Sequence, residues 1–163
     1  MDERIQLLRN TPIFGGVVDE ILAFLLDRVA EVVVRKGEFF FLEGDDGVSA
    51  FVLERGSVSI LKKWEEKSYL LRNLRAGDCF GEVALMDFCR RSASVLADED
   101  CVAIELSTSD LRQVASRDLE QFTMIYMNMG RELCRRLREA DERLFRAKIE
   151  VGLSTGEYAF QST

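Results

Sequence analysis

The chain has 163 residues, 47% of them apolar and 31% charged, which is enough for one domain with a solvated surface and rules out general disorder. Its 22 basic and 29 acidic residues leave a net charge of -7, which argues against the basic footprint of a nucleic-acid binder. There is no histidine, so Ser-His-Asp and Cys-His catalysis, zincin motifs and histidine-based metal sites are excluded.

The start, Met1-Asp2-Glu3-Arg4-Ile5, carries acids where a signal peptide carries bases. The longest strictly apolar run, Ile21 to Leu26, is far below the roughly 20 residues of a membrane span. Cys79, Cys89, Cys101 and Cys134 show no Cys-x-x-Cys spacing and read as reduced, mostly packing thiols. A cytoplasmic protein without a membrane segment is the expectation.

Residues 1–29 read as N-terminal helices. Ile21, Leu22, Leu25, Leu26 and Val29 share one helical face behind Asp19 and Glu20, and Pro12 marks a break before them. Residues 30–106 change period from 3.6 to 2. Val32 and Val34, Phe39 and Phe41, Phe51 and Leu53, Val58 and Ile60, Ala93 and Val95, and Val102, Ile104 and Leu106 alternate with other residues. Turns at Lys36-Gly37-Glu38, Glu43-Gly44-Asp45-Asp46-Gly47, Arg55-Gly56-Ser57 and Ala76-Gly77-Asp78 separate these runs. Many short strands between Gly-Asp turns predict a mainly β fold, an antiparallel jelly roll (double-stranded β-helix) with flanking helices.

Residues 107–150 read as a short helix around Ser109–Ala115, acting as a hinge, and a long one from about Asp118 to Ile149. Along the latter, Leu119, Phe122, Tyr126, Met129, Leu133, Leu137, Ala140 and Leu144 follow steps of three and four. A stripe of that length predicts pairing with a second copy, giving a homodimer. Residues 151–163 are small and polar and read as a disordered tail.

Between the Gly77-Asp78 turn and the next strand lie Phe80-Gly81-Glu82-Val83-Ala84-Leu85-Met86 and Arg91-Ser92-Ala93-Ser94-Val95. A glycine opening a short helical turn frees backbone N–H groups for an anionic oxygen. An acidic side chain there can accept from a sugar hydroxyl, and Arg91 can reach the same anion with a planar fork of donors. A structural ion pair between Glu82 and Arg91 is the alternative for these residue types.

With the turn positions Gly37-Glu38, Glu43-Gly44-Asp45, Gly56-Ser57-Val58 and Gly77-Asp78 in order, and with Pro12-Ile13-Phe14 before a helix, the chain resembles the cyclic nucleotide-binding domain family. This is the ligand module of catabolite activator proteins, kinase regulatory subunits and gated channels. The resemblance covers nearly all of residues 10–145, and residues 80–95 resemble the family's phosphate-binding cassette. It implies that Gly81, Glu82, Val83 and Ala84 surround the ribose phosphate, with Glu82 accepting from the 2′-hydroxyl. Arg91 would pair with the cyclic phosphate, Ser92 would add a hydroxyl donor there or meet the purine, and Ala93 would lie beside them. Ala140 and Asp141 on the long helix would meet the purine, and Asp141 suits adenine or guanine equally. Arg90 stands where the family often has proline, and Asp87-Phe88-Cys89 is an unusual link, which together imply a wider or more mobile cassette loop.

The function implied is a non-enzymatic sensor that binds cyclic AMP or cyclic GMP, with no other cofactor. It would signal through its C-terminal helices to an unknown protein partner. No helix-turn-helix is recognised after the long helix, so direct DNA binding is not expected. The rival readings are a ligand-free interaction module of the same fold and a binder of another nucleotide, such as a cyclic dinucleotide. A cupin-type enzyme would need a histidine-based metal site.

Overall fold

A computed structural model describes residues 2–150. The expected tail, 151–163, lies outside the described residues. The chain divides into two units at Met129 and Gly130. In the first, α1 (Asp2–Asn10) leads through a 3-10 turn (Pro12–Phe14) into α2 (Asp19–Leu26). Eight strands follow: β1 (Ala30–Val34), β2 (Phe39–Phe41), β3 (Ser49–Arg55), β4 (Ser57–Trp64), β5 (Lys67–Arg75), β6 (Cys79–Phe80), β7 (Ser94–Ala97) and β8 (Cys101–Ser107). The helix α3 (Glu82–Asp87) sits between β6 and β7, and α4 (Thr108–Arg117) and α5 (Leu119–Glu150) come last. No helix among the described residues is long and apolar enough to cross a membrane.

The strands form two four-stranded sheets, ordered β1-β8-β3-β6 and β2-β7-β4-β5, and every pairing is antiparallel. This is the jelly roll that the short alternating runs predict. β3 explains how two cores arise. Its Ala50 and Val52 belong to a core with Leu8, Ile13, Phe14, Leu22, Leu111 and Ile125 of the helical segments. Phe51 and Leu53 belong to a second core with Val58, Ile60, Phe80, Val95 and Ala103 of the strands. Because successive side chains point to opposite faces, the stretch of β3 buried on both sides is apolar at every position from Ala50 to Leu53.

Several local expectations need correction. Phe39 and Phe41 were expected to share an inward face with Phe40 outward. A register shift in β2 instead turns both Phe40 and Phe41 toward Phe51 and Phe80, and leaves Phe39 exposed. Val29 lies beyond the end of α2, although it still packs on the helical core. β5 was not foreseen. It is the edge strand of its sheet and mostly exposed, so its Tyr69, Leu70 and Leu71 give no alternation to detect.

The long helix starts one residue later than expected, and its buried face is shifted. In the first unit, Ile125 and Met129 are fully buried and Leu119 is exposed. Gln121 and Asn128 share the buried face, because Gln121 accepts from the Val18 N–H and Asn128 donates to the Gly15 carbonyl. The second unit carries Glu132, whose carboxylate accepts from Arg135 and Arg136, which holds it below the usual carboxylate range against the cost of burial. α4 begins with a capping box: Asp110 N–H donates to the Ser107 hydroxyl, and Ser107 N–H donates to the Asp110 carboxylate.

Phe80 joins the two sheets. Its ring stacks on Phe51 at 5.3 Å between centroids and meets Phe40 edge-on at 5.0 Å. Phe80→Ala should therefore cost roughly 3–5 kcal/mol of stability, read as a lowered midpoint in urea unfolding.

Candidate functional site

The cassette begins where β6 delivers the chain to Gly81, whose φ of +79° is left-handed backbone. A Cβ at Gly81 would lie 2.7 Å from Arg91 Nη1 and 3.2 Å from the Ser49 carbonyl oxygen, so only glycine fits without displacement. The turn then enters α3, whose Glu82 is 1% exposed and whose Ala84 and Leu85 are buried, with Val83 half-buried. Phe88 closes the helix with φ +52°, a conformation costly for a non-glycine residue, and its ring is exposed.

From Phe88 the chain returns to Arg91, which is only 5% exposed. Its Nη1 donates to the Ser49 carbonyl at 2.7 Å and to the Gly81 carbonyl at 3.1 Å. Nη2 donates to the Ser49 hydroxyl oxygen at 3.2 Å. The guanidinium carbon lies 4.1 Å from the centre of the Phe41 ring and 5.7 Å from that of Phe51, a cation–π seat. Nε is buried and has no hydrogen-bond partner among the described residues. A side chain at Gly47 would put its Cβ 2.3 Å from that nitrogen, so Gly47 leaves room for the guanidinium.

The loop 43–47 is tied to this strand from both sides. Arg91 N–H donates to the Asp45 carbonyl and Gly44 N–H donates to the Arg91 carbonyl, each at 2.9 Å. Lys62 Nζ donates to the Glu43 carboxylate and, at 2.8 Å, to the Ser92 carbonyl. The bond from Lys62, and then that from the Lys63 N–H, holds the Glu43 carboxyl below its ordinary range. Burial pushes the Arg91 guanidinium down from its ordinary value, and the carboxylates of Glu105, Asp45 and Glu82 oppose that. A guanidinium stays protonated under such a balance, so the site holds one buried cation.

The structure thus brings Gly81 and Arg91 together and sets Glu82 within the field of that arginine. Ser92 is exposed, with its carbonyl on Lys62, and Ala93 packs on the core between the sheets. Ala140 and Asp141 are exposed on α5, in the second unit. Four neighbours of Arg91 and Ser92 were absent from the expected set: Phe41, Gly47, Ser49 and Lys62. For Ser49 a signal existed, since it is the polar residue heading the alternating row Ser49, Phe51, Leu53. Phe41 and Gly47 stand in a strand and a turn that the sequence marks, but no local pattern ties them or Lys62 to Arg91.

Gly47→Ala should shift Arg91 without unfolding the chain, because the clashing atoms are the end of a flexible side chain. The expected result is a moved Arg91 Nε–H resonance in 15N-edited NMR, with unfolding stability lowered by roughly 1–3 kcal/mol as the displaced guanidinium strains its buried hydrogen bonds.

Known proteins are similar to this chain in sequence and in fold. The chain is 28% identical over 155 residues to the cyclic AMP receptor protein of Thermus thermophilus, covering 93% of this chain and 69% of that protein. It is 27% identical over 131 residues to the human cGMP-dependent protein kinase 2, covering 77% of this chain but only 17% of the kinase. The crystal structure of the Thermus thermophilus catabolite activator protein superimposes with a TM-score of 0.75 at 29% identity, over 85% of this chain and 64% of that one. The family model of the cyclic nucleotide-binding domain matches residues 31–118, more than half of the sequence. The chain belongs to the cyclic nucleotide-binding domain family.

Proposed function

We propose that this chain is a non-enzymatic cytoplasmic sensor whose cassette, residues 80–95, binds the phosphate of cyclic AMP or cyclic GMP. The observation that carries this reading is the buried Arg91 guanidinium with an unpartnered Nε. A phosphate oxygen would satisfy that donor with a charge-assisted hydrogen bond in a water-poor setting. Glu82 is the group for the ribose hydroxyl, and Gly81, Val83, Ala84, Ser92 and Ala93 line the same segment. Ala140 and Asp141 are proposed for the purine. Of the two relatives, one is named for cyclic AMP and the other for cyclic GMP, so they support the ligand class and leave the base open.

Residues 30–106 would be the ligand module, and residues 107–150 would relay occupancy to a protein partner. A ligand shifts such a helix equilibrium only by its differential affinity for the two arrangements. Direct DNA binding is not part of this reading, in keeping with the net charge of -7. One observation favours the rival, a fold kept without ligand: Nη1 is already committed to two carbonyls, as a purely structural arginine would be.

Calorimetric titration with cyclic AMP, cyclic GMP and a cyclic dinucleotide separates these readings. Saturable binding of a cyclic mononucleotide is expected, and a ligand at 100 times its dissociation constant should add about 2.7 kcal/mol of stability. Arg91→Ala should weaken that binding about 10- to 150-fold, the worth of a hydrogen bond to a charged group. No heat with any of the three leaves the ligand-free module.

Dimerisation is proposed through α5. Leu137 and Leu144, seven residues apart on one face, are 62% and 55% exposed, and Phe145 and Ile149 are exposed near them. Leu137→Asp with Leu144→Asp should give a folded monomer of 18.6 kDa by light scattering, where wild type gives twice that mass. A wild-type monomer would exclude the dimer.

A further inference from the structure

Side-chain alternation on β3 places Ser49 at the head of a row completed by Phe51 and Leu53, the face that builds the core between the sheets. A serine there is out of keeping with its neighbours, and at 7% exposure it is nearly cut off from water. Its hydroxyl oxygen accepts from Arg91 Nη2 at 3.2 Å. Accepting leaves the hydroxyl proton, and that proton finds no acceptor among the described residues. A buried donor left unused costs free energy unless an acceptor arrives.

The same holds for Arg91 Nε, on the guanidinium edge that it shares with Nη2. Two donors thus stand side by side, on two side chains that are each more than nine-tenths buried. Around them lie the carboxylates of Glu105, Asp45 and Glu82, which the single guanidinium already faces. A second buried cation would need its own desolvation. A hydroxyl adds a hydrogen bond to an anion without adding charge.

We infer that Ser49 is a direct phosphate ligand, donating its hydroxyl proton to an oxygen of the group that Arg91 Nε binds. This rests on the cyclic nucleotide reading of the cassette and extends it to β3, a strand outside the cassette. The matching ligand is a phosphodiester monoanion, held by one cation and one neutral donor.

The test is calorimetry with cyclic AMP and cyclic GMP on the full chain. Ser49→Ala should weaken binding about tenfold, and Ser49→Thr, which keeps the hydroxyl, should stay within about threefold of wild type. Ser49→Cys keeps the volume but weakens the donor, so it should fall with the alanine variant even if alanine perturbs folding. In an Arg91→Lys background, Ser49→Ala should again cost about tenfold, because the hydroxyl touches the ligand itself. Wild-type affinity in Ser49→Ala overturns the inference. So does a loss that vanishes in the Arg91→Lys background, since Ser49 then only positions the arginine. If wild type binds neither nucleotide, the cassette reading falls as well. If wild type binds and Arg91→Ala alone loses affinity, only the role of Ser49 falls.

Discussion

Burying one guanidinium at the junction of the cassette and the sheets constrains everything around it. A charge moved out of water needs hydrogen-bond acceptors, a polarizable neighbour or opposite charges close by, and Arg91 has all three. The acceptors are the carbonyls of Ser49 and Gly81, the neighbour is the Phe41 ring, and the charges are those of Glu105, Asp45 and Glu82. Each of these requires a specific backbone path. Gly81 must be left-handed and without a Cβ, Gly47 must leave room at Nε, and the loop 43–47 must run alongside Arg91.

The aromatic cluster supplies the rigid floor for this arrangement. Phe40 and Phe41 both face Phe51 and Phe80 because β2 shifts register between Phe39 and Phe41. Without that shift, one of the two rings would point away from the core and the arginine would lose its seat or the core would lose its filling. Polar ties then hold the rim. Lys62 on β4 clasps both Glu43 and the Ser92 carbonyl, so the two chain segments that flank Arg91 are fixed to the same strand. The seating of Arg91 and the packing of the jelly roll are thus one problem, solved by the same residues.

The helices differ in how their stability arises. α4 is set locally by the Ser107–Asp110 capping box, a device readable in four residues. The first part of α5 is set by tertiary contact, with Ile125 and Met129 in the helical core and Gln121 and Asn128 closing open backbone groups near Gly15 and Val18. Its second unit relies on side-chain pairs along the helix, among them Glu132 with Arg135 and Arg136, and Glu142 with Arg146. A helix supported in that way presents Leu137 and Leu144 to solvent, which is the feature the dimer proposal uses.

Local patterns in the sequence determined the jelly roll, its Gly-Asp turns and the two terminal helices, because periods of two and 3.6 and left-handed glycines are local properties. They also marked Gly81, Glu82 and Arg91, which lie within one short stretch whose order resembles a known cassette. Edge strand β5 escaped because an exposed strand need not alternate, and the two inward phenylalanines of β2 escaped because a register shift is decided by the partner strand. Only the tertiary structure decided that Arg91 is buried, and that Phe41, Gly47, Ser49 and Lys62 surround it and its neighbour. Those residues are 29 to 50 positions away in the chain, and no local periodicity couples them to the arginine. Their meeting follows from two sheets packing face to face, a long-range condition that no window of sequence contains.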